Sequence, residues 1–525
     1  MGVMTRGTTG TKTTAAPCAG HPGLASRGAA PGPLPALLLL SALVLLLTLA
    51  PAAFAGGLGP VGAAPFAVSG VPLASAEATA TGSFIWKAPA LVPAATSSVY
   101  TMTPAPAGTL FAAVMVGDLV QHAELAVQRM RKSDGKLLWR TVYKAPGDVF
   151  ARVNTMVTAP NGDAVVLGSQ KTAPEAGEQW VVLRFRAADG KLLWSAVRGS
   201  PDSAGRPTDT SAYGLGSDRA GSVYVGGRTF SAETSSTVGV VVKYSAAGKQ
   251  VWQHTVTGPH ATAVQDIAVD AAGNVYLAGS RTIVERDEAI GQAAVTEGLA
   301  RKLGTSGAQK WDHPLGDGAV WWTNQVLLAG RDVYLRGSRR TGPGAAEPFV
   351  AKLSAATGTA AWTTGLTGIP GQDAEGYDFA LDRAGNAFVV GMSWYQDVPE
   401  GSTWGNAGWV YKVGAQDGAV LWGRNMSTQF DGSPSGMFWR LQTDAKGRVF
   451  CAGVWVAGER PGVSQGIVLR YDANGSAPTQ WTVTGSGSGV GASCDDVLVT
   501  GKDVFACGEL KADLGWCGFV QKLRP

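Results

Sequence analysis

Charge is scarce in this chain of 525 residues: Asp, Glu, Lys and Arg make up 16% of it, against roughly 25% in an average soluble domain. The two signs nearly cancel, leaving a formal charge of +4, and no basic or acidic block marks nucleic acid as a partner. Histidine and cysteine occur only five times each, so a cage of soft metal ligands has few residues to draw on. No G-x-S-x-G elbow, H-E-x-x-H pair, Walker sequence or EF-hand loop is present, which removes the motif-borne routes to hydrolysis, phosphoryl transfer and calcium binding. No catalytic residue, metal ligand or cofactor is therefore assigned from motifs. What abounds is glycine, 72 residues, together with 17 tryptophans and 28 prolines. That composition demands many tight turns and short strands and excludes a mainly helical fold.

The first 55 residues read as an export signal. Residues 34 to 50, LPALLLLSALVLLLTLA, are uncharged and apolar, and Ala53-Phe54-Ala55 has the small-x-small pattern of a cleavage site. Arg6, Lys12 and Arg27 precede the run, as orientation by cytoplasmic positive charge requires. An uncleaved signal anchor is the alternative, and would be the chain's only hold on a membrane. Residues 56 to 80 carry no strand pattern and read as a flexible Ala/Gly/Pro linker. A secreted or cell-surface location is the expectation.

From residue 81 to 525 the chain repeats itself. One phrase is a turn followed by an apolar strand ending in glycine, as in DRAGSVYVGG (218 to 227), DAAGNVYLAG (270 to 279) and DRAGNAFVVG (382 to 391). A second is a turn followed by a tryptophan strand, as in SDGKLLW and ADGKLLW; with Trp86 its tryptophans are Trp139, Trp194, Trp252, Trp311, Trp362, Trp422 and Trp481, spaced 51 to 60 residues apart. A third strand lies between the two phrases and a fourth precedes the first, so each unit holds four short strands, which we label a to d. Four-stranded antiparallel units in series make a β-propeller. The C-terminal unit stops after strand c, and residues 83 to 88, SFIWKA, supply a d-like strand at the other end. The sequence thus predicts an all-β, eight-bladed β-propeller closed by its N-terminal strand, with seven blades as the runner-up.

The turn-and-strand phrase followed by VVKYSAAGKQVW resembles the SBBP-type bacterial β-propeller repeat, and DGKLLW resembles the tryptophan docking motif of pyrroloquinoline-quinone-type quinoproteins, whose propellers have eight blades. The first resemblance implies a secreted or surface protein. The second implies a quinone-dependent oxidoreductase, but such enzymes carry a vicinal disulfide and a calcium site of Glu, Asn and Asp, and this chain has no adjacent cysteines. The repeated tryptophans read as scaffold, each packing on the next blade and donating its indole N–H. Asp218, Asp270, Asp382 and Asp444 read as turn residues bonding their own backbone. His254 and His313, each two residues after a repeated tryptophan, read as marks of repeat ancestry.

Four cysteines follow the signal, Cys451, Cys494, Cys507 and Cys517, all in the last 75 residues. In an exported chain they point to disulfides; among the three pairings, Cys507 with Cys517 and Cys451 with Cys494 are preferred. Beyond the repeated and strand-c tryptophans, Trp321, Trp322, Trp394, Trp404, Trp439 and Trp455 fall in or beside the b-to-c and d-to-a connections, which emerge on one face of the disc. Trp322, Trp394, Tyr395, Trp404, Trp439 and Trp455, with the carboxylates Asp373, Asp378 and Asp431, form the candidate binding surface. Flat rings beside carboxylates suit sugar faces and hydroxyls, or a protein hot spot. The alternative is that some of these rings plug the blade junctions. The expectation from sequence is a non-catalytic exported scaffold, acting as a monomer, that binds a glycan or a surface protein. An enzyme on the same fold, quinone-dependent oxidoreductase or carbohydrate-active hydrolase or lyase, is the alternative.

Overall fold

In a computed structural model the described residues run from 80 to 525, together with 66–68 and 74–75. Outside the description lie residues 90–95, 119–121, 148–149, 202–206, 232–234, 285–293, 317–319, 341–345, 369–372, 395–405, 427–435, 457–463, 477, 485–490 and 513–514. The signal segment, Tyr395, Trp404 and Asp431 are therefore outside it as well.

Eight four-stranded antiparallel blades are formed in the order read from the repeats. Their innermost strands, a, are Ser97–Ala105, Phe150–Thr158, Ser211–Ser217, Thr262–Val269, Val320–Ala329, Ala374–Leu381, Gly436–Thr443 and Ala492–Thr500 in blades 1 to 8. Each touches the next, and the strand of blade 8 touches that of blade 1, so the ring is closed. Strand d of blade 8 is Phe84–Pro89, paired antiparallel with the C-terminal strand Gly515–Leu523. The eight-blade reading holds, and the N-terminal strand does complete the last blade.

Blades are held together by apolar cores between successive sheets. Val240, Val242 and Leu215 of blade 3 pack on Leu167 and Val182 of blade 2, for example, and alternate residues of one strand enter the seams on its two sides. Eight tryptophans bolt the outer strands to these cores. Trp86 donates its Nε1–H to Lys132 O, Trp139 to Ala187 O, Trp194 to Ala246 O, Trp252 to Thr305 O, Trp311 to Ala355 O, Trp362 to Ala415 O, Trp422 to Ala473 O and Trp481 to Ser83 O, at 2.8 to 3.3 Å. Each acceptor belongs to the c-to-d turn of the following blade, or to its N-terminal substitute at Ser83. The turn glycine is required twice over. At Gly418 φ is 73°, and a Cβ there would lie 2.7 Å from the Trp362 ring; only glycine adopts the left-handed turn and lets the indole lie flat on its backbone. The scaffold role of these tryptophans follows directly from that contact.

The repeated aspartates are turn residues, as read. Asp270 Oδ1 accepts from the N–H groups of Ala272 and Asn274 at 3.0 and 2.9 Å, and Asp382 repeats the arrangement with Ala384 and Asn386. Strand c then supplies a cation beside several of these turns, as Lys412 does for Asp382 at 3.4 Å and Lys243 for Asp218 at 3.4 Å.

Two expectations differ from the structure. Within the stretch read as a linker, Phe66–Val68, Ala74–Ser75 and Ala80–Thr81 pair in parallel with strands d of blades 5, 6 and 7. These described residues thus lie along the outer edges of three successive blades, pairing edge groups that would otherwise face water. The preferred disulfides are not formed. Cys451, Cys494 and Cys507 are unbridged thiols in three different seams, between blades 6 and 7, 7 and 8, and 8 and 1. Cys507 faces Val520 across the sheet and Cys517 faces Leu510, so that pair is out of register.

Candidate functional site

The repeat phrases all serve the face that carries the a-to-b and c-to-d turns. The other face, where strands a begin, is where the blades differ. Every strand a carries one β-bulge, an extra residue that bends the strand and re-aims a side chain. The extra residues are Tyr100, Asn154, Tyr213, Gln265, Asn324, Tyr377, Trp439 and Asp495. Because strand a is flanked on both faces by neighbouring blades, its solvent-reaching side chains open on the axial channel. All eight bulge residues remain partly or fully accessible, whereas many of their strand neighbours are buried.

In blades 4, 6 and 8 the residue after the bulge is an aspartate that ties one blade to the next. Asp266 Oδ2 accepts from Val326 N at 3.0 Å, Asp378 Oδ2 from Leu441 N at 2.9 Å and Asp496 Oδ2 from Met102 N at 2.8 Å. The second oxygen of each is also taken, by Ile267 N, by Gln325 Nε2 and by Val497 N respectively. Asp378 was expected to bind ligand; both of its oxygens are engaged in joining blades 5, 6 and 7. Arg336, buried on strand b of blade 5, donates to Gln325 Oε1 at 3.1 Å and to Gly376 O. Burial pushes Asp266 up to about 7 and Asp496 up to about 6, and pulls Arg336 down to about 10.

The seam between blades 8 and 1 holds a different arrangement. Asp495, the bulge residue of blade 8, accepts from Ser493 Oγ at 2.6 Å and from Ser98 Oγ of blade 1 at 3.2 Å. Glu509 stands opposite Ser493 on strand b of the same blade, close enough to Asp495 to feel its charge. Removal from water, and each carboxylate beside the other, raises the pKa of Glu509 well above the usual range; burial raises that of Asp495. Tyr100, the bulge residue of blade 1, lies against the pair and keeps its phenol protonated through burial and their negative charge. Arg152 of blade 2, paired with Glu178 at 2.6 Å, flanks the tyrosine. Two half-buried carboxyls with raised pKa values, each within reach of the other's charge, can hold one proton between them and pass it to a bound substrate.

The sequence-derived aromatic residues divide in this frame. Trp439 is a bulge residue and packs edge-on against Tyr377, itself a bulge residue, with ring centroids 5.3 Å apart. Trp322 and Trp394 are half-buried on strands a and b of blades 5 and 6, and the amide of Trp394 donates to Asp373 O at 2.9 Å. Trp455 is half-buried against the core between blades 6 and 7. Trp321 is 4% exposed and packs on Phe349, so that ring plugs a junction. Asp373 accepts from Ala346 N at 2.6 Å. His254 lies 3.2 Å from Arg301 Nη1, and burial together with that cation lowers its pKa. Asp495, Glu509 and Tyr100 were missed by sequence reasoning, and the bulge that re-aims Asp495 has no sequence mark of its own.

The quinoprotein resemblance implies a calcium-held quinone, and the donor set does not fit it. Among the described residues no group of three or more His, Cys, Asp and Glu is gathered to hold a metal ion. Both oxygens of Asp266, Asp378 and Asp496 are engaged in the protein, and the thiols of Cys451, Cys494 and Cys507 lie in separate seams. No step through such a group is derived.

No family model matches the chain, and no curated protein matches it. Solved structures do. The europium-containing methanol dehydrogenase is similar at 11% identity over 84% of this chain and 93% of that one, with a TM-score of 0.48. The quinohemoprotein alcohol dehydrogenase of Comamonas testosteroni is similar at 13% identity over 82% and 76%, with a TM-score of 0.46, and the polysaccharide lyase Uly1 at 10% over 81% and 90%, with a TM-score of 0.43. These proteins are enzymes, and with them the expectation of a non-catalytic scaffold is corrected: the lack of a local motif, on which that expectation rested, does not separate this chain from catalytic propellers. At such identities the likeness assigns no activity or substrate, and it shows the fold alone. The chain is an eight-bladed β-propeller that resembles quinoprotein-like folds.

Proposed function

We propose that the chain is an exported enzyme that performs acid–base chemistry on a polyhydroxylated substrate, a carbohydrate, at the loop-face end of the axial channel. The observation that carries this reading is the Asp495–Glu509 pair at the blade 8–blade 1 seam, with Asp495 held by Ser98 of blade 1 and Tyr100 behind the pair. Glu509 is the proton-bearing member and acts as general acid; Asp495, held by two serine hydroxyls, is the carboxylate that takes a proton. Gln265 and Asn324, two amide-bearing bulge residues, offer donors and acceptors for sugar hydroxyls, while Asn154, whose Nδ2 donates to Ser169 Oγ and Ala212 O, offers its oxygen; Trp439 with Tyr377 offers apolar ring surface for a sugar face. A polysaccharide lyase stands among the similar solved structures, and its substrate class agrees with this reading.

The test is a turnover screen of purified residues 56 to 525 against oligosaccharides, with dye-linked alcohol oxidation in the presence of added quinone as the competing arm. Glycosidic cleavage by the parent chain and its loss in Glu509→Gln, at undiminished thermal stability, is the expected result. Dye reduction dependent on quinone would replace the reading by a quinone-dependent oxidoreductase.

A further inference from the structure

At the position after the bulge, blades 1, 2, 3, 5 and 7 carry Thr101, Thr155, Gly214, Gln325 and Arg440 in place of the tying aspartates, and of all eight residues only Arg440 is a cation. Where blades 4, 6 and 8 place Asp266, Asp378 and Asp496 to accept the next blade's N–H, blade 7 places Arg440, which can only donate. The amide that an acceptor there would serve, Val497 N, is satisfied by Asp496 Oδ1 at 2.8 Å, so the substitution leaves no orphaned group and frees the guanidinium. Arg440 is exposed although its strand neighbours Phe438 and Leu441 are buried. Among the described residues its guanidinium makes one hydrogen bond, from Nη1 to the carbonyl of Trp439 at 3.3 Å, and no ion pair. A side chain exposed on an innermost strand faces the channel, and its charge is felt by Arg336, Asp495 and Asp496 from blades 5 and 8. The two carboxylates that feel its charge have their oxygens occupied: Asp496 by two backbone N–H groups and Asp495 by two serine hydroxyls. The Trp439–Tyr377 ring pair stands immediately beside it. Among the described residues Arg440 thus keeps guanidinium N–H groups free to donate to a ligand beside those rings.

We propose that Arg440 binds an oxyanion of the substrate, a carboxylate or sulfate ester on a sugar ring lying against Trp439 and Tyr377. This deepens the reading above, and rests on it for the position of the channel as the site. The planar guanidinium fork matches two oxygens of either group, and an ammonium does not.

The experiment measures binding to the full mature chain by tryptophan fluorescence and calorimetry, using a galacturonan oligomer, its neutral methyl ester, a sulfated galactan oligomer and its unsulfated counterpart. The parent chain should prefer one acidic oligomer over its neutral form, with an affinity that falls as salt rises; which one is preferred distinguishes carboxylate from sulfate. Arg440→Gln should weaken the acidic ligand by about 10- to 100-fold, the worth of a hydrogen bond to a charged group, and leave the neutral one unchanged. Arg440→Lys should recover only part. Equal affinity of Arg440→Gln for the acidic ligand, absence of any preference for it, or no binding at all would overturn the proposal. The two readings fail separately: binding of the acidic oligomer through Arg440 without cleavage removes the enzyme and keeps this site, whereas cleavage of neutral oligomers without preference for acidic ones removes this site and keeps the enzyme.

Discussion

The indole Nε1 of Trp481 donates to the carbonyl oxygen of Ser83 at 3.2 Å, joining residues 398 apart in sequence. Seven other tryptophans make the same bond to a neighbouring blade's turn, but this one closes the circle, with Gly82 in the place of the turn glycine under the ring. Trp481 is fully buried. Replacing it by alanine should cost about 3 to 5 kcal/mol, read as a lower denaturation midpoint. Removing residues 83 to 89 should cost more and cause self-association, because strand c of blade 8 becomes an open edge.

The turn glycines allow a paired comparison. Gly418 and Gly330 both have positive φ, 73° and 61°, but a Cβ at Gly418 meets the Trp362 ring while one at Gly330 meets nothing within 4 Å. Gly330→Ala should cost about 1 kcal/mol from backbone strain alone. Gly418→Ala should cost distinctly more, since the indole must move off its turn; equilibrium unfolding of both variants measures the difference.

Asp496 fills two N–H groups, Met102 N of blade 1 and Val497 N of its own strand, each at 2.8 Å. Asp496→Ala leaves both donors buried and should cost about 1 to 3 kcal/mol for each. Asp496→Asn keeps one acceptor oxygen and sheds a buried charge, so its loss should be smaller. Hydrogen exchange at Met102, faster in the alanine variant than in the asparagine variant, would locate the effect.

The fold was legible because its determinants are local. A turn glycine and a tryptophan a few residues later recur in each unit, with a turn aspartate in many of them, and each acts within a few residues or on one adjacent blade. The candidate site was not legible for the opposite reason. Asp495 and Glu509 come from different strands, Ser98 and Tyr100 come from the other end of the chain, and only ring closure brings them together. Alternation along strand a would misplace Asp495, because the bulge shifts the register there. The same geometry defeats the disulfide argument: Cys494 enters the seam with blade 7 and Cys507 the seam with blade 1, so an even count of cysteines in one region does not make neighbours. Trp439 was found from its place in a d-to-a connection, but that rule also gathered Trp321, which is core.

Stability should depend on pH with a definite sign. Glu509 is raised to about 8 in the folded chain, against about 4.3 when unfolded. Between these values the folded state holds the extra proton, so stability is greatest at the acid end, falls as pH rises, and levels off above the folded pKa. Asp266, raised to about 7, and Asp495 and Asp496, raised to about 6, act in the same direction and finish earlier. Glu509→Gln should therefore flatten the profile most clearly between about pH 7 and 8, measured by urea unfolding at fixed ionic strength.

The most direct measurement is an infrared titration of the protonated carboxyl band in the mature chain, compared with Glu509→Gln and Asp495→Asn. A proton-sharing pair predicts a protonated carboxyl that survives to neutral pH in the parent, disappears in Glu509→Gln, and titrates at lower pH in Asp495→Asn, where the neighbouring charge is gone. A parent chain with no protonated carboxyl at neutral pH, or one whose band is the same in Glu509→Gln, would contradict the account.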